Sequence, residues 1–134
     1  CLLHGDFIYP NVFVDDAGRI THLFDFEKTC QGPRAYEFAR SLLINCFDDG
    51  WSESSFELAK NFLSAYRDVQ SLSSQDMIKG IRMYAHDLMH MTWTEAKYVI
   101  YGMDVQLSLY DRQARRVEWL SEDLADFCRK MSEI

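Results

Sequence analysis

The sequence predicts an α+β fold, predominantly helical: a loop, one β-hairpin and then about four α-helices. Two patterns carry that prediction. Val12-Phe13-Val14 and Ile20 to Phe24 are short apolar runs, the second opening on β-branched Ile20 and Thr21. They flank Asp15-Asp16-Ala17-Gly18-Arg19, a turn sequence with a glycine available for positive φ. From residue 33 onward, apolar residues recur at helical spacing.

Thr29 to Pro33 reads as a loop, Pro33 suits a first helical turn, and apolar residues at 36, 39, 42, 43, 46 and 47 give the first helix a buried face. Phe47-Asp48-Asp49-Gly50-Trp51 interrupts it. Ser52 is a candidate N-cap for a second helix over 53–70. Ser71 to Ser74 forms the next break, with Ser73 or Ser74 as cap. The third helix is predicted over 75–101 as the longest, with sustained periodicity and Gly102 as its stop. A last helix is predicted over 111–131.

Bulk properties exclude several classes. A single domain over 1–134 is expected, with loop and hairpin in 1–28 and helices in 33–134. Apolar content of 48% excludes intrinsic disorder. No apolar run approaches membrane-spanning length, and the start lacks a signal peptide's basic region, so no membrane association is expected. A net charge of −7 argues against nucleic-acid binding and is compatible with a cationic small molecule. The cysteines at 1, 30, 46 and 128 form no CxxC pair, so reduced thiols and a cytoplasmic setting are expected. The chain opens on Cys1, not Met, and is expected to be cut from something longer.

The chemistry is concentrated at the start, in His4-Gly5-Asp6, Asn11 and Asp25-Phe26-Glu27. Phosphoryl transfer asks a protein for positioning, metal ions and a group that orients the nucleophile. An Asp followed five residues later by an Asn is how kinase catalytic loops supply two of those parts. The Asp faces the acceptor hydroxyl, and the Asn offers its amide oxygen to Mg²⁺. A further Asp downstream holds the metal that bridges the nucleotide phosphates. Mg²⁺ keeps several waters and needs only one or two protein ligands. The hairpin between Asn11 and Asp25 brings its own ends together, within reach of one ion.

The run from Leu3 to Leu43 resembles the catalytic core of the aminoglycoside phosphotransferase and choline kinase superfamily, small-molecule kinases on a protein-kinase-like fold. The resemblance lies in the loop from His4 to Asn11, in Leu23-Phe24-Asp25-Phe26-Glu27, and in the stretch from Gly32 to Ala39. It implies the C-terminal lobe of that fold, with Asp6 as catalytic residue and His4 bracing the loop. It further implies Asn11 and Asp25 as Mg²⁺ ligands, Glu27 as a contact behind that metal or to a second one, and ATP as donor. Glu37 departs from the pattern. Asp is usual there, bracing the loop backbone from below, and the extra methylene leaves the role of Glu37 open.

The nucleotide-binding parts of a kinase are missing from the chain. It has no Gly-rich loop, no strand Lys paired with a helix Glu, and no GxxxxGK[ST] stretch. The fragment alone is therefore expected to be inactive and its parent active. Without an N-terminal lobe, apolar surface near Leu2, Leu3 and the hairpin should be exposed and drive self-association. A non-catalytic pseudokinase or binding module is the alternative, and intact Asp6, Asn11 and Asp25 argue against it. A protein kinase is disfavoured because Gly5 replaces Arg, Glu27 replaces Gly and no Ala-Pro-Glu follows.

Weaker signals remain. Tyr84, Asp87, Met91, Glu95 and Tyr98 fall on one edge of the predicted long helix and could hold an amine of the acceptor. An ordinary amphipathic boundary explains that strip equally well. His86 and His90 have metal-compatible spacing but fall away from the apolar stripe, which favours a solvated face. Arg112, Arg115 and Arg116 are read as a solvated helix end in preference to a phosphate contact. Trp51, Trp93 and Trp119 are read as core.

Overall fold

Asp15 builds the hairpin. Its Oδ1 accepts from the backbone N–H of Ala17 (3.0 Å) and Arg19 (2.9 Å), and Gly18 supplies φ +75°. The flanking strands are β2 (Val12–Val14) and β3 (Ile20–Leu23), paired Val12 to Leu23 and Phe13 to His22, with a bulge between Phe13 and Val14. The computed structural model describes residues 1–47, 50–103 and 107–134, and for 93–95 and 107–109 the backbone alone.

Thr29 to Pro33, predicted as loop, adds a second ladder. There β4 (Cys30–Gln31) pairs antiparallel with β1 (Leu2–Leu3). Two residues per strand are too few to show a period-2 pattern. Between the ladders, 3-10 turns cover Tyr9–Asn11 and Phe26–Lys28.

Five helices follow among the described residues: α1 (Arg34–Cys46), α2 (Glu53–Val69), α3 (Ser74–His90), α4 (Trp93–Tyr101) and α5 (Leu107–Ser132). The predicted caps form. Ser52 accepts from Ser55 N–H at 3.1 Å, Ser73 accepts from Asp76 N–H at 3.1 Å, and Gly102 ends α4 at φ +64°.

The predicted helix over 75–101 is in fact two. Met91 takes an extended backbone (φ −85°, ψ 98°), and its carbonyl accepts from Gln113 Nε2 of α5 at 2.7 Å. That bond satisfies a carbonyl that a continuous helix would have satisfied internally. The predicted start of the last helix also moves, from 111 to Leu107.

The core lies where α1 crosses α3, closed by α2 and α5. Leu42, Leu43, Leu63, Ile81, Leu120 and Phe127 are at most 1% exposed. Burial of each such side chain contributes about 1.5–3 kcal/mol. The α1–α3 crossing is close at Gly80, where a Cβ would lie 2.1 Å from the Ala35 carbonyl oxygen. That crossing sets the position of α1, and α1 carries the loop.

Candidate active site

Glu37, Ser41 and Asn45 recur every four residues and therefore share one face of α1. Together they hold the loop by its backbone. The Glu37 carboxylate accepts from the N–H of His4 (3.1 Å) and of Gly5. Ser41 Oγ donates to the Phe7 carbonyl at 2.6 Å, and Asn45 Oδ1 accepts from Tyr9 N–H at 2.9 Å. Glu37 thus braces the loop despite its extra methylene, which resolves the role left open by the sequence. Gly5 is required where it stands. Its φ is +82°, and a Cβ would lie 2.2 Å from the Lys28 carbonyl oxygen.

His4 is buried, and both ring nitrogens are engaged. Nδ1 accepts from Asp6 N–H (3.2 Å), so Nε2 carries the proton and donates to the Phe24 carbonyl (3.0 Å). The ring also packs on Phe26 at 4.6 Å between centroids. His4 ties the loop to the end of β3 and acts as a positioning residue.

Asp6 is 6% exposed. Lys28 Nζ meets its Oδ2 at 2.8 Å, and Arg40 donates to its Oδ1. The Asp6 carbonyl accepts from Asn11 Nδ2 at 2.9 Å, which leaves the amide oxygen as the coordinating atom of Asn11. Phe24 N–H donates to the Asn11 carbonyl at 3.2 Å, so Asn11 and Asp25 stand at the mouth of the hairpin.

Asp25 has φ +66°, the only positive φ of a non-glycine among the described residues. Such a backbone is uncommon outside glycine, and Asp is among the residues that tolerate it best. Asp25 and Glu27 are both exposed. Among the described residues no three His, Cys, Asp or Glu side chains converge on one point. The donor set at the hairpin mouth, a carboxylate and an amide oxygen, fits a Mg²⁺ that takes its other ligands from water and phosphate.

On the helical side of Asp6 opens a cleft of about 320 Å³, whose lining includes Lys28, Arg40, Tyr84, Arg112 and Arg116. Arg116 is buried and Arg112 half-buried, so the predicted solvated helix end holds for Arg115 alone. The spacing could not reveal this, because the cleft is made where α5, packed on α3, meets the loop and α1.

The acidic and aromatic strip does not survive the helix break. Tyr84 and Met91 line the cleft. Asp87 is exposed and accepts from Tyr36 OH in a separate hollow with Arg82 and His86. Burial and that carboxylate push the Tyr36 phenol up. Tyr98 is exposed on α4, and the side chain of Glu95 lies outside the described residues. His86 and His90 are exposed, their rings tilted to one another with centroids 4.3 Å apart. Trp51 and Trp119 stack at the edge of the core, and the side chain of Trp93 lies outside the described residues. Sequence reasoning missed Lys28, Arg40, Ser41 and Asn45. For the last two the signal was present, as a polar row four apart on an otherwise apolar helix.

No curated protein and no solved structure matches the chain. The sequence profile of the phosphotransferase enzyme family matches residues 1–74. That span is more than half of the 134 residues and contains the whole loop, both ladders and the polar face of α1. The chain therefore belongs to the phosphotransferase enzyme family.

Proposed function

We propose that this chain is the acceptor and metal half of a small-molecule kinase, the C-terminal lobe of a protein-kinase-like fold. It would serve transfer of the γ-phosphoryl group of ATP to a hydroxyl of a small molecule, in the cytoplasm. The observation that carries the reading is Asp6. It is buried on a loop fixed at several backbone points by α1, with Asn11 bonded to its own carbonyl and Asp25 across the hairpin mouth.

In this reading the acceptor O–H gives its proton to the Asp6 carboxylate. The acceptor oxygen forms a bond to the γ-phosphorus as the bond to the β-bridging oxygen breaks, and ADP leaves. Lys28 and Arg40 hold the Asp6 carboxylate in one orientation, and each of its oxygens retains a further lone pair for the acceptor proton. Asn11 and Asp25 would hold Mg²⁺, with Glu27 beside them; when bound, the ion neutralises charge on the phosphate oxygens.

No Gly-rich loop or strand Lys stands in these residues to cover the phosphates and exclude water. We therefore assign turnover to a longer parent chain and expect negligible turnover from this part alone. A non-catalytic binding module is the second reading, favoured by one observation: both Asp6 oxygens already carry a cation. ADP release from Mg·ATP across a panel of hydroxyl acceptors, using the parent chain, separates the two. Asp6→Asn should lose turnover and keep nucleotide binding. Wild-type turnover in both Asp6→Asn and Asp25→Ala would show the assignment of roles to be wrong.

A further inference from the structure

The chain is acidic as a whole, yet the cleft beside Asp6 has the opposite sign. Among the described residues four cations line it (Lys28, Arg40, Arg112 and Arg116), and Asp6 is the one acid. Lys28 and Arg40 already exceed the charge of Asp6 before the α5 arginines are counted. A concave site lined by one sign of charge focuses its field on the ligand. We infer that the acceptor carries an anionic group, a carboxylate or a phosphate, and that the cleft arginines bind it. The inference rests on the phosphotransfer reading and names the substrate class of the same site.

Two further observations point the same way. Arg112 and Arg116 are four apart and present one face of α5 to the cleft. A guanidinium offers five N–H donors in a fork that matches carboxylate and phosphate, so contacts made elsewhere do not exhaust it. Arg40 Nη1 is buried with no hydrogen-bond partner among the described residues, a donor that an anion would satisfy. An amine in the same place would meet like charges on several sides. The γ-phosphate of the nucleotide is the other possible anion, but Asn11 and Asp25, the metal side of Asp6, are not among the lining residues. The cleft is lined instead by the loop and by residues of α1, α3 and α5.

The test is a titration of isotope-labelled chain, followed by amide and arginine side-chain signals, with and without Mg·ATP. The probes are glycerate and glycerol 3-phosphate (anionic), glycerol (neutral), and choline and kanamycin (cationic). The anionic probes should shift Arg112 and Arg116 and bind at least roughly tenfold tighter than the others. Their affinity should fall with added salt. Arg112→Gln and Arg116→Gln should each weaken them by about tenfold. Arg116 is buried, so if a thermal melt shows that its variant is unfolded, half-buried Arg112 carries the test. Tighter binding of choline or kanamycin overturns the inference. So does anion binding that neither variant changes, or anion binding that Mg·ATP displaces competitively. Anion binding at these arginines with no ADP release in the parent chain would leave the anion site standing and sink the phosphotransfer reading. ADP release with a cationic acceptor alone would do the reverse.

Discussion

Residues 4–11 and 12–23 are neighbours in the chain and treat polarity in opposite ways. In the loop the polar side chains are inside: His4, Asp6 and Asn11 are 9%, 6% and 7% exposed. In the hairpin the apolar side chains are outside: Phe13, Val14 and Ile20 are close to 60% exposed. The loop can bury polar side chains because each meets a partner, His4 the Phe24 carbonyl, Asp6 the cations of Lys28 and Arg40, and Asn11 the Asp6 carbonyl, while Glu37, Ser41 and Asn45 of α1 hold its backbone. The hairpin has no such partner among the described residues and is shaped by its own turn. Burial here follows what stands opposite a residue, and hydropathy alone does not decide it.

The sharpest way to break the comparison is at its most buried charge. Asp6→Asn in the parent chain should lower kcat by about 10²–10⁴, the usual contribution of a positioned general base, with nucleotide affinity little changed. ADP release and nucleotide titration read the two effects separately. Asp25→Ala, at the exposed mouth, should instead weaken Mg·nucleotide binding by roughly tenfold or more, read by the same titration at several Mg²⁺ concentrations.

Stability tests the brace next. Glu37→Ala leaves the His4 and Gly5 N–H groups without their acceptor and should cost about 2–3 kcal/mol by urea unfolding. Glu37→Asp, which shortens the reach, should recover only part of that. Equal stability of the Ala variant and wild type would dismiss the brace. On the hairpin side, Phe13→Ser with Ile20→Thr should change stability by less than about 0.5 kcal/mol. The same pair should reduce the self-association we propose for this face, measured by light scattering. A chain that is already monomeric at high concentration counts against that proposal.

The smallest effect concerns the thiols. Cys1 and Cys30 are exposed, whereas Cys46 and Cys128 are buried in the helical core. Burial pushes the Cys46 thiol up to about 11 and the Cys128 thiol up as well, so both stay protonated near pH 8. A thiol reagent at that pH should modify Cys1 and Cys30 and leave the core pair, as mass spectrometry of the labelled peptides would show.

Much of the fold was legible because its signals are local. Turn chemistry at Asp15 to Gly18, the Ser52 and Ser73 caps and the Gly102 stop each act within a few residues, and all form as predicted. The break after α3 was not legible, since apolar periodicity runs unbroken through Met91 and Thr92. At the break the Met91 carbonyl is met by Gln113, on an element 22 residues away. The β1–β4 ladder was missed because two-residue strands carry no pattern. In the site, spacing singled out Asp6, Asn11 and Asp25. It could not supply Lys28 and Arg40, whose meaning lies only in what they touch.

The sequence by itself singled out the candidate phosphoryl-transfer residues and determined the hairpin that joins their halves and the helical character of the remainder. Those depend on residue types at short spacing, and short spacing is written in the chain. Only the tertiary structure decided that Glu37 braces the loop, that Asp6 sits between two cations, and that an acidic chain has a basic cleft at its candidate active site. Those facts depend on which side chains meet across α1 and α5. The fold settles such meetings by packing, which composition and periodicity do not encode.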